Sequence, residues 1–258
     1  MKISIITITY NSAKTLPRAL ESVRSQTYGD IEHIIVDGAS TDGTVEIIKN
    51  YSKGQSAPSG QYQSTKEVYW ISEPDEGIYD AINKGIRMAT GDAIGFLHSD
   101  DKFYSQDTIA HIAAAFASSK ADVVYGDLEY CKGEKVTRSW KSNTFNPRSL
   151  KYGWMPPHPT MYVRREVYKQ VGEYDSWFRI SADYDMILRI FTAGYKTHYI
   201  PQVLVSMETG GASNKNAKAR LSKTQEDYIV LRKNNVGAGY VTVACKQLRK
   251  VRQFLGRR

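Results

Sequence analysis

Cysteine is nearly missing from this chain: Cys131 and Cys245 are the only two in 258 residues, far apart and without metal-ligand spacing around either. Neither a disulfide framework nor a zinc site is expected, and a reducing cytoplasm fits. Long apolar runs are missing as well. None approaches a membrane span, and the amino-terminal Ile3–Ile8, broken by Ser4 and Thr7, is too short for a signal peptide. The common phosphate-binding loops are also absent: no Gly-x-Gly-x-x-Gly follows the first apolar segment and no Walker lysine motif occurs. A nucleotide would therefore have to be held by side chains at strand ends. There is no internal repeat.

Positive charge is scarce where a nucleic-acid enzyme would need it. The net charge is +8, yet Lys215–Arg258 holds 12 Lys and Arg against Glu226 and Asp227, a balance of +10. Residues 1–214 hold 23 against 25, a balance of −2. The basicity belongs to the tail, so no nucleic-acid partner is expected. The rest is ordinary for a globular protein, with 41% hydrophobic and 24% charged residues. The length suits one large domain or a domain with an appendage.

The first hundred residues alternate short apolar strands with amphipathic helices. Ile3–Thr9 reads as a buried strand, followed by a helix over Ala13–Ser25 that Asn11 or Ser12 can cap and whose first turn tolerates Pro17. Ile31–Val36 is a second strand, leading through DGASTDG to a helix from Thr44 to Tyr51. Ser52–Lys66, rich in Gly, Ser and Gln, reads as a surface loop before a third strand, Val68–Ser72. Ile78, Ala81, Ile82, Gly85, Ile86 and Ala89 fall at helical spacing, Gly91 is expected as a left-handed C-cap, and Ala93–Leu97 is the fourth strand. This alternation argues for an α/β fold with a Rossmann-like, mostly parallel central sheet flanked by helices. The second half is less regular. Helices are expected over Gln106–Ser119, over Ala182–Ala193 with Ser181 as cap, and over Ala217–Asn234 with Leu221, Tyr228 and Leu231 on one side. Short strands are expected at Val123–Tyr125, Leu128–Cys131, Met161–Arg164, Lys196–Ile200 and Val203–Met207.

In GDAIGFLHSDDK, Asp100 and Asp101 stand just past a strand's carboxyl end, the edge where open α/β sheets bind ligands. Carboxylate oxygens there suit a hard divalent cation that carries substrate phosphates, or they cap the next helix. Thr9-Tyr10-Asn11 closes the first strand and Asp37 the second. Adjacent parallel strands would gather these into a base pocket, with Tyr10 stacking and Asp37 accepting from a ring N–H. The same residue types equally suit a helix cap at Asn11 and a turn at Asp37.

Four blocks, TITYNS, VDGASTDGT, SEPDEGIYDAINKGIRMATGDAIGFLHSDD and SADYDMILR, occur in the order and spacing of the inverting glycosyltransferases of family 2. The chain resembles that family over most of residues 1–210, and EPDEGIYDAINKG and ISADYD are most similar to bacterial exopolysaccharide enzymes of the colanic-acid type. The resemblance implies a GT-A fold, with a nucleotide-binding half at 1–101, an acceptor-binding half at 102–214 and a basic helical extension at 215–258. It implies a nucleotide-sugar donor whose base is read at Asp37, with Thr9, Tyr10, Asn11 and Ser99 also on the donor side, and Mn²⁺ or Mg²⁺ on the donor diphosphate. In the Asp-x-Asp cluster His98 replaces the first acid. Asp100 is then the expected metal contact, Asp101 keeps its competing role as a cap, and ribose, phosphate or no ligand stays open for His98. Asp183 matches the general base that takes the acceptor proton, with Asp185 as the neighbour most easily confused with it. Asp75 would reach ribose or the donor sugar, and Lys84 would neutralise phosphate or stay solvated. Trp154 and His158 would line the acceptor site, and Gly210-Gly211-Ala212-Ser213 would close over the diphosphate.

Val241, Ala244, Leu248, Val251 and Leu255 keep helical spacing, with Lys246, Arg249, Lys250 and Arg252 on the other faces. Such a helix suits an anionic membrane surface, or packs on the catalytic domain or a second subunit as a homo-oligomer. The expected activity is metal-dependent, inverting transfer of a sugar from a nucleotide-sugar donor to a glycan acceptor, lipid-linked, in bacterial exopolysaccharide synthesis. The expected location is cytoplasmic and peripheral on the inner face of the membrane. Two other readings stay open: a catalytically silent nucleotide- or carbohydrate-binding protein, for which His98 speaks, and a sugar nucleotidyltransferase. The latter would need a Gly-rich, Arg-containing loop where TYNSAKTLP stands.

Overall fold

A computed structural model describes residues 1–54, 66–133, 135–208 and 217–255. The first half runs β1 Ile3–Thr9, α1 Leu16–Arg24, β2 Ile31–Asp37, α2 Thr44–Ser52, β3 Glu67–Ser72, α3 Ile78–Met88 and β4 Ala93–Phe96. Every residue of β1, β2 and β4 is buried, as expected for strands covered by helices on both faces. β1 pairs in parallel with β2 and with β4, and β2 pairs in parallel with β3. The strand order β3-β2-β1-β4 reverses direction at β1, so a crevice opens beyond the carboxyl ends of β1 and β4.

The second half runs β5 Lys102–Phe103, α4 Thr108–Ser119, β6 Val123–Lys132, β7 Lys135–Trp140, β8 Tyr162–Arg164, α5 Arg165–Val171, α6 Ala182–Thr192, β9 Thr197–Glu208, α7 Ala217–Lys233 and α8 Tyr240–Leu255. Two 3-10 helices, Pro147–Tyr152 and His158–Thr160, precede β8. β8 joins β4 and β6 antiparallel, β9 runs parallel to β6, β5 lies antiparallel on β9, and β7 folds back on β6. All the described strands form one sheet, parallel in its first half and mixed in its second.

Several local expectations differ from the observed chain. α1 begins at Leu16, not Ala13, because Asn11 adopts a left-handed backbone and the Ser12 carbonyl accepts from Thr15 and Leu16 in a turn. Gly91 is not left-handed: α3 ends at Ala89 in extended backbone. Gly91 is needed instead for close packing, since a Cβ there would sit 2.6 Å from Ser4 Oγ and 2.8 Å from its backbone nitrogen. β6 and β9 are each continuous where two strands were expected, with register shifts near Asp127 absorbing Gly126 and Pro201. β7 and α5 were not anticipated. Ser181 takes the N-cap position of α6, but its hydroxyl donates to Asp227 instead of capping. Residues 55–65, most of the expected surface loop, and the expected closing loop at 210–213 lie outside the described residues.

The basic extension is part of the body. Val230, Leu231, Val236 and Val243 belong to the same apolar core as Ile6, Phe96 and Ile187. The division between residues 214 and 215 therefore marks a change of charge and not an edge of the core. The packed faces are not those expected: Leu221 is exposed on α7, while α8 buries Thr242, Val243 and Lys246 and leaves Val241, Leu248 and Val251 at 65%, 68% and 55% exposure.

Candidate active site

The carboxyl ends of β1 and β2 are stitched together by their own turn residues. Asn11 N–H donates to Ser40 Oγ at 2.8 Å, and Asn11 Oδ1 accepts from Thr41 N–H at 2.9 Å. Asp42 accepts from Ala13 N–H and from Thr44, while Thr44 Oγ1 accepts from Ser12 N–H. Asp37 is fully buried, and its carboxylate accepts from Ser40 N–H, Ser40 Oγ and Ser72 Oγ. Asn11 and Asp37 both take hydrogen bonds from the turn after β2, and Asp37 also ties β2 to β3. Thr9 Oγ1 is buried with no hydrogen-bond partner among the described residues.

Beside this clasp lies an open shelf. The Tyr10 ring is 65% exposed, and a Cβ on Gly38 would lie 3.4 Å from Tyr10 Cδ2 and in collision with Asp75 Oδ2. A bare glycine therefore lets an aromatic face and a carboxylate approach each other. Asp75 Oδ1 is fixed by Gly77 N–H at 2.9 Å. Lys84 does not reach this space. Its ammonium is held by Glu73 at 2.9 Å, Asp80 at 3.5 Å and the Pro74 carbonyl at 2.8 Å, which pins the turn between β3 and α3.

The turn after β4 splits its two acids. Asp101 N–H donates to the His98 carbonyl, Ser99 Oγ donates to Ser12 Oγ at 3.1 Å, and Arg18 Nη2 donates to the Asp100 carbonyl at 2.6 Å. Ser99 therefore joins the ends of β1 and β4. Asp100 is half-buried. Asp101 is fully buried and caps no helix, and among the described residues neither of its oxygens finds a hydrogen-bond partner of normal geometry. Burial, then the Asp100 charge, pushes its carboxyl well above the usual range, against the opposing pull of the Glu208 backbone and Arg18. An orphaned carboxylate behind a solvent-facing one is a donor set that fits a hard cation. Among the described residues no three His, Cys, Asp or Glu side chains form a complete metal cage.

Across the crevice, Asp183 opens α6. Its Oδ1 accepts from Tyr184 N–H at 2.8 Å and from the Tyr79 hydroxyl at 3.5 Å. Helix α7 fixes the preceding turn: the Glu226 carboxylate accepts from the N–H groups of Arg179, Ile180 and Ser181, and Asp227 accepts from Ser181 Oγ. Asp183 keeps solvent access, whereas Asp185 is fully buried against Arg189, Lys233 and Asn234. The two acids are thereby separated by environment.

Two imidazoles pack together at the end of β4. The rings of His98 and His158 stack with centroids 6.3 Å apart, and His158 packs on Phe96 and bonds the Tyr174 hydroxyl at 2.7 Å. Burial pushes the His158 pKa down to about 4, with Asp183 opposing. Burial also lowers His98, against the charges of Asp100 and Asp183. Burial thus favours the neutral form of both rings.

A sequence model of glycosyl transferase family 2 matches residues 4–181. This chain belongs to glycosyl transferase family 2. It is 34% identical over 214 residues, 82% of its length, to a PGL/p-HBAD biosynthesis glycosyltransferase of Mycobacterium bovis, covering 78% of that protein. It is 31% identical over 239 residues to an uncharacterized glycosyltransferase of Nostoc sp., with 88% and 70% of the two chains covered. The fold matches S. aureus TarS 1-349 in complex with UDP-GlcNAc, with TM-score 0.70, 19% identity and coverage of 99% and 72%. It also matches the mannosyltransferase PcManGT from Pyrobaculum calidifontis in complex with GDP-Man and Mn²⁺, with TM-score 0.67, 19% identity and coverage of 96% and 69%. The chain spans 43% of the longer TarS structure.

The chain is thus an inverting glycosyltransferase with a GT-A fold, and the nucleotidyltransferase reading falls away. Within this glycosyltransferase the expected acceptor residues sit differently from the sequence reading. Trp154 is a core residue: it packs among Tyr125, Phe145 and Phe191, and its indole donates to the Ser142 carbonyl at 2.8 Å. His158 is buried behind His98 and supports it from the core side. Sequence reasoning missed Arg18, Tyr79 and Glu226 altogether. Only Glu226 carried a signal, as one of two acids in an otherwise basic tail.

Proposed function

We propose that this glycosyltransferase moves a sugar from a nucleotide-sugar donor to a hydroxyl of a glycan acceptor, with Mn²⁺ or Mg²⁺ on the donor diphosphate. The observation that carries the reading is Asp183, held at the start of α6 by Tyr184 N–H and the Tyr79 hydroxyl on a turn that Glu226 clamps, in a chain of glycosyl transferase family 2. In this reading the exposed Tyr10 face stacks on the base and Asp75 receives a ribose or sugar hydroxyl. Asp100, backed by the buried Asp101, holds the cation, which when bound neutralises charge on the departing diphosphate. The half-buried His98 donates a ring N–H to a donor oxygen.

Asp183 takes the proton of the acceptor hydroxyl. The freed oxygen attacks the anomeric carbon from the face opposite the diphosphate, the bond to the diphosphate breaks, and the configuration inverts. Tyr184 N–H and the Tyr79 hydroxyl hold Oδ1, which leaves Oδ2 for the acceptor. UDP-GlcNAc in one neighbour, and GDP-Man with Mn²⁺ in another, support a nucleotide-sugar donor and a divalent ion. Among the described residues no helix is long and apolar enough to cross a membrane. The outward apolar stripe of α8 beside basic residues supports a lipid-linked acceptor and a peripheral site on the inner membrane face, in surface or exopolysaccharide assembly.

Purified protein given Mn²⁺ and a panel of nucleotide sugars should release nucleoside diphosphate, and EDTA should abolish the release. Asp183→Asn should lower transfer by about 10²- to 10⁴-fold, while Mn²⁺ and nucleoside diphosphate still raise its thermal midpoint. Full transfer by that variant would overturn the base assignment. Nucleotide binding without turnover across the whole panel would favour the silent binding protein.

A further inference from the structure

A second recess lies on the acceptor side of the molecule, between β7, the Gly153 turn and the inner face of α8. It encloses about 240 Å³, and its walls include Trp140, Lys141, Trp154, Lys246, Arg249 and Lys250. Four of its eleven lining residues are cations and none is an acid. α8 is seated tightly here. A Cβ on Gly153 would lie 2.8 Å from Lys246 Cα, and Arg249 Nε donates to the Tyr152 carbonyl at 3.1 Å.

The cations are unequally satisfied. Lys246 is paired with Asp227 and lies over the Tyr184 ring, and Arg249 is tied to the backbone. Lys250 is half-buried and forms no salt bridge among the described residues. Burial and the neighbouring Lys223 push its pKa down, Arg138 adds to this, and Asp227 and Asp183 oppose them. Lys141 stands on the opposite wall beside Asp127. A half-enclosed site with four cations and an indole in its wall, and no carboxylate among its lining residues, is complementary to an anion carried on a sugar or a lipid. Lys246 is tied through Asp227 to Ser181, two residues before Asp183, so the recess adjoins the turn that carries the candidate base.

We propose that this recess binds a phosphate group of the acceptor, with Lys141 and Lys250 as its ligands, and so presents the acceptor hydroxyl to Asp183. The inference rests on the transfer reading above and adds the acceptor's chemical class, a phosphorylated glycan or lipid-linked sugar phosphate. One helix then serves both parts of such a molecule. Its inner face meets the phosphate, and its outer stripe, Val241, Ala244, Leu248 and Val251, meets apolar surroundings.

The test is a tryptophan-fluorescence titration in EDTA, which keeps metal-dependent diphosphate capture at the donor shelf out of the signal. The probes are glucose 1-phosphate in solution and, separately, phosphatidylcholine vesicles doped with farnesyl phosphate. Wild-type protein should give a saturable response to at least one probe, and Lys141→Gln/Lys250→Gln should bind it about ten-fold or more weakly. Response to glucose 1-phosphate assigns a soluble phosphoglycan, and response to the doped vesicles alone assigns a lipid phosphate. Equal binding by variant and wild type, equal response to glucose or undoped vesicles, or no response to either probe overturns the proposal. An unchanged thermal midpoint shows that the variant is folded. Nucleoside diphosphate with Mn²⁺ should bind the variant as it binds wild type, so failure of the recess and failure of the donor site are read separately.

Discussion

The ammonium of Lys246 stands 2.9 Å from the carboxylate of Asp227, with both side chains buried. The other oxygen of Asp227 accepts from Ser181, two residues before Asp183, so α8, α7 and the turn carrying the candidate base share one chain of polar contacts. Removing one partner strands a buried charge. Lys246→Met should therefore cost about 3–5 kcal/mol, seen as a lower midpoint in urea unfolding, and adding Asp227→Leu should recover much of the loss. No recovery in the double variant would mean that packing, not charge, holds α8.

Asp183 and Asp185 should respond in opposite ways to the same substitution. Asp185→Asn weakens a fully buried carboxylate's pairing with Arg189 and Lys233, at a cost of roughly 2 kcal/mol, less than for a fully enclosed pair because both cations keep access to water. Asp183→Asn should leave the unfolding free energy within about 0.5 kcal/mol of wild type, as for a residue with solvent access. Thermal unfolding of both variants, read beside their transfer rates, separates the structural acid from the catalytic one.

Acid should unfold this protein earlier than its carboxylates alone would require. Burial lowers His33 from 6.5 to about 3 and His158 from 6.5 to about 4. The unfolded chain therefore binds more protons than the folded one between those values and 6.5, and stability falls as pH drops through that window. The loss is at most roughly 1.4 kcal/mol per pH unit for each histidine. Denaturant titrations from pH 7 to pH 4 should show the decline, and His33→Gln should flatten it.

Gly38→Ala should damage donor capture while sparing the fold. The new methyl would occupy the position of Asp75 Oδ2 and push that carboxylate off the shelf beside Tyr10. Asp75 lies at an exposed turn, so its displacement is cheap for stability. The donor KM should rise about ten-fold, the loss of one hydrogen bond to a charged group, with the unfolding midpoint little changed. An unaltered donor KM would remove Asp75 from the donor site.

The parallel half of the sheet was legible because β1, β2 and β4 are covered on both faces, which demands uninterrupted apolar runs ending abruptly in polar turns. That is why Tyr10, Asp37 and Asp100 could be located at strand ends. What those residues do at the ends was less legible. Nothing in the residue types shows that Ser40 and Ser72 hold Asp37, or that Asp101 is sealed while Asp100 is only half-buried. Trp154 misled because indoles serve sugar stacking and core packing equally well, and only the neighbours Phe145 and Phe191 decide. On α8 the spacing revealed an apolar stripe but not its direction. The helix docks through Thr242, Val243 and Lys246, because Asp227 and Tyr184 make a buried lysine acceptable there.

Glu226 gathers three successive backbone N–H groups of the segment that enters α6, from a position 45 residues beyond Ser181. The stretch matched by the family ends at Ser181, inside the turn that Glu226 clamps. A truncated protein stopping after β9 would retain Tyr10, Asp75, Asp100 and Asp183, yet leave those amides unsatisfied and the last acid free to wander. Such a fragment would also lose Val230, Leu231, Val236 and Val243 from the core and should fold too weakly to transfer sugar, so a minimal unit for engineering new sugar specificities has to include the tail.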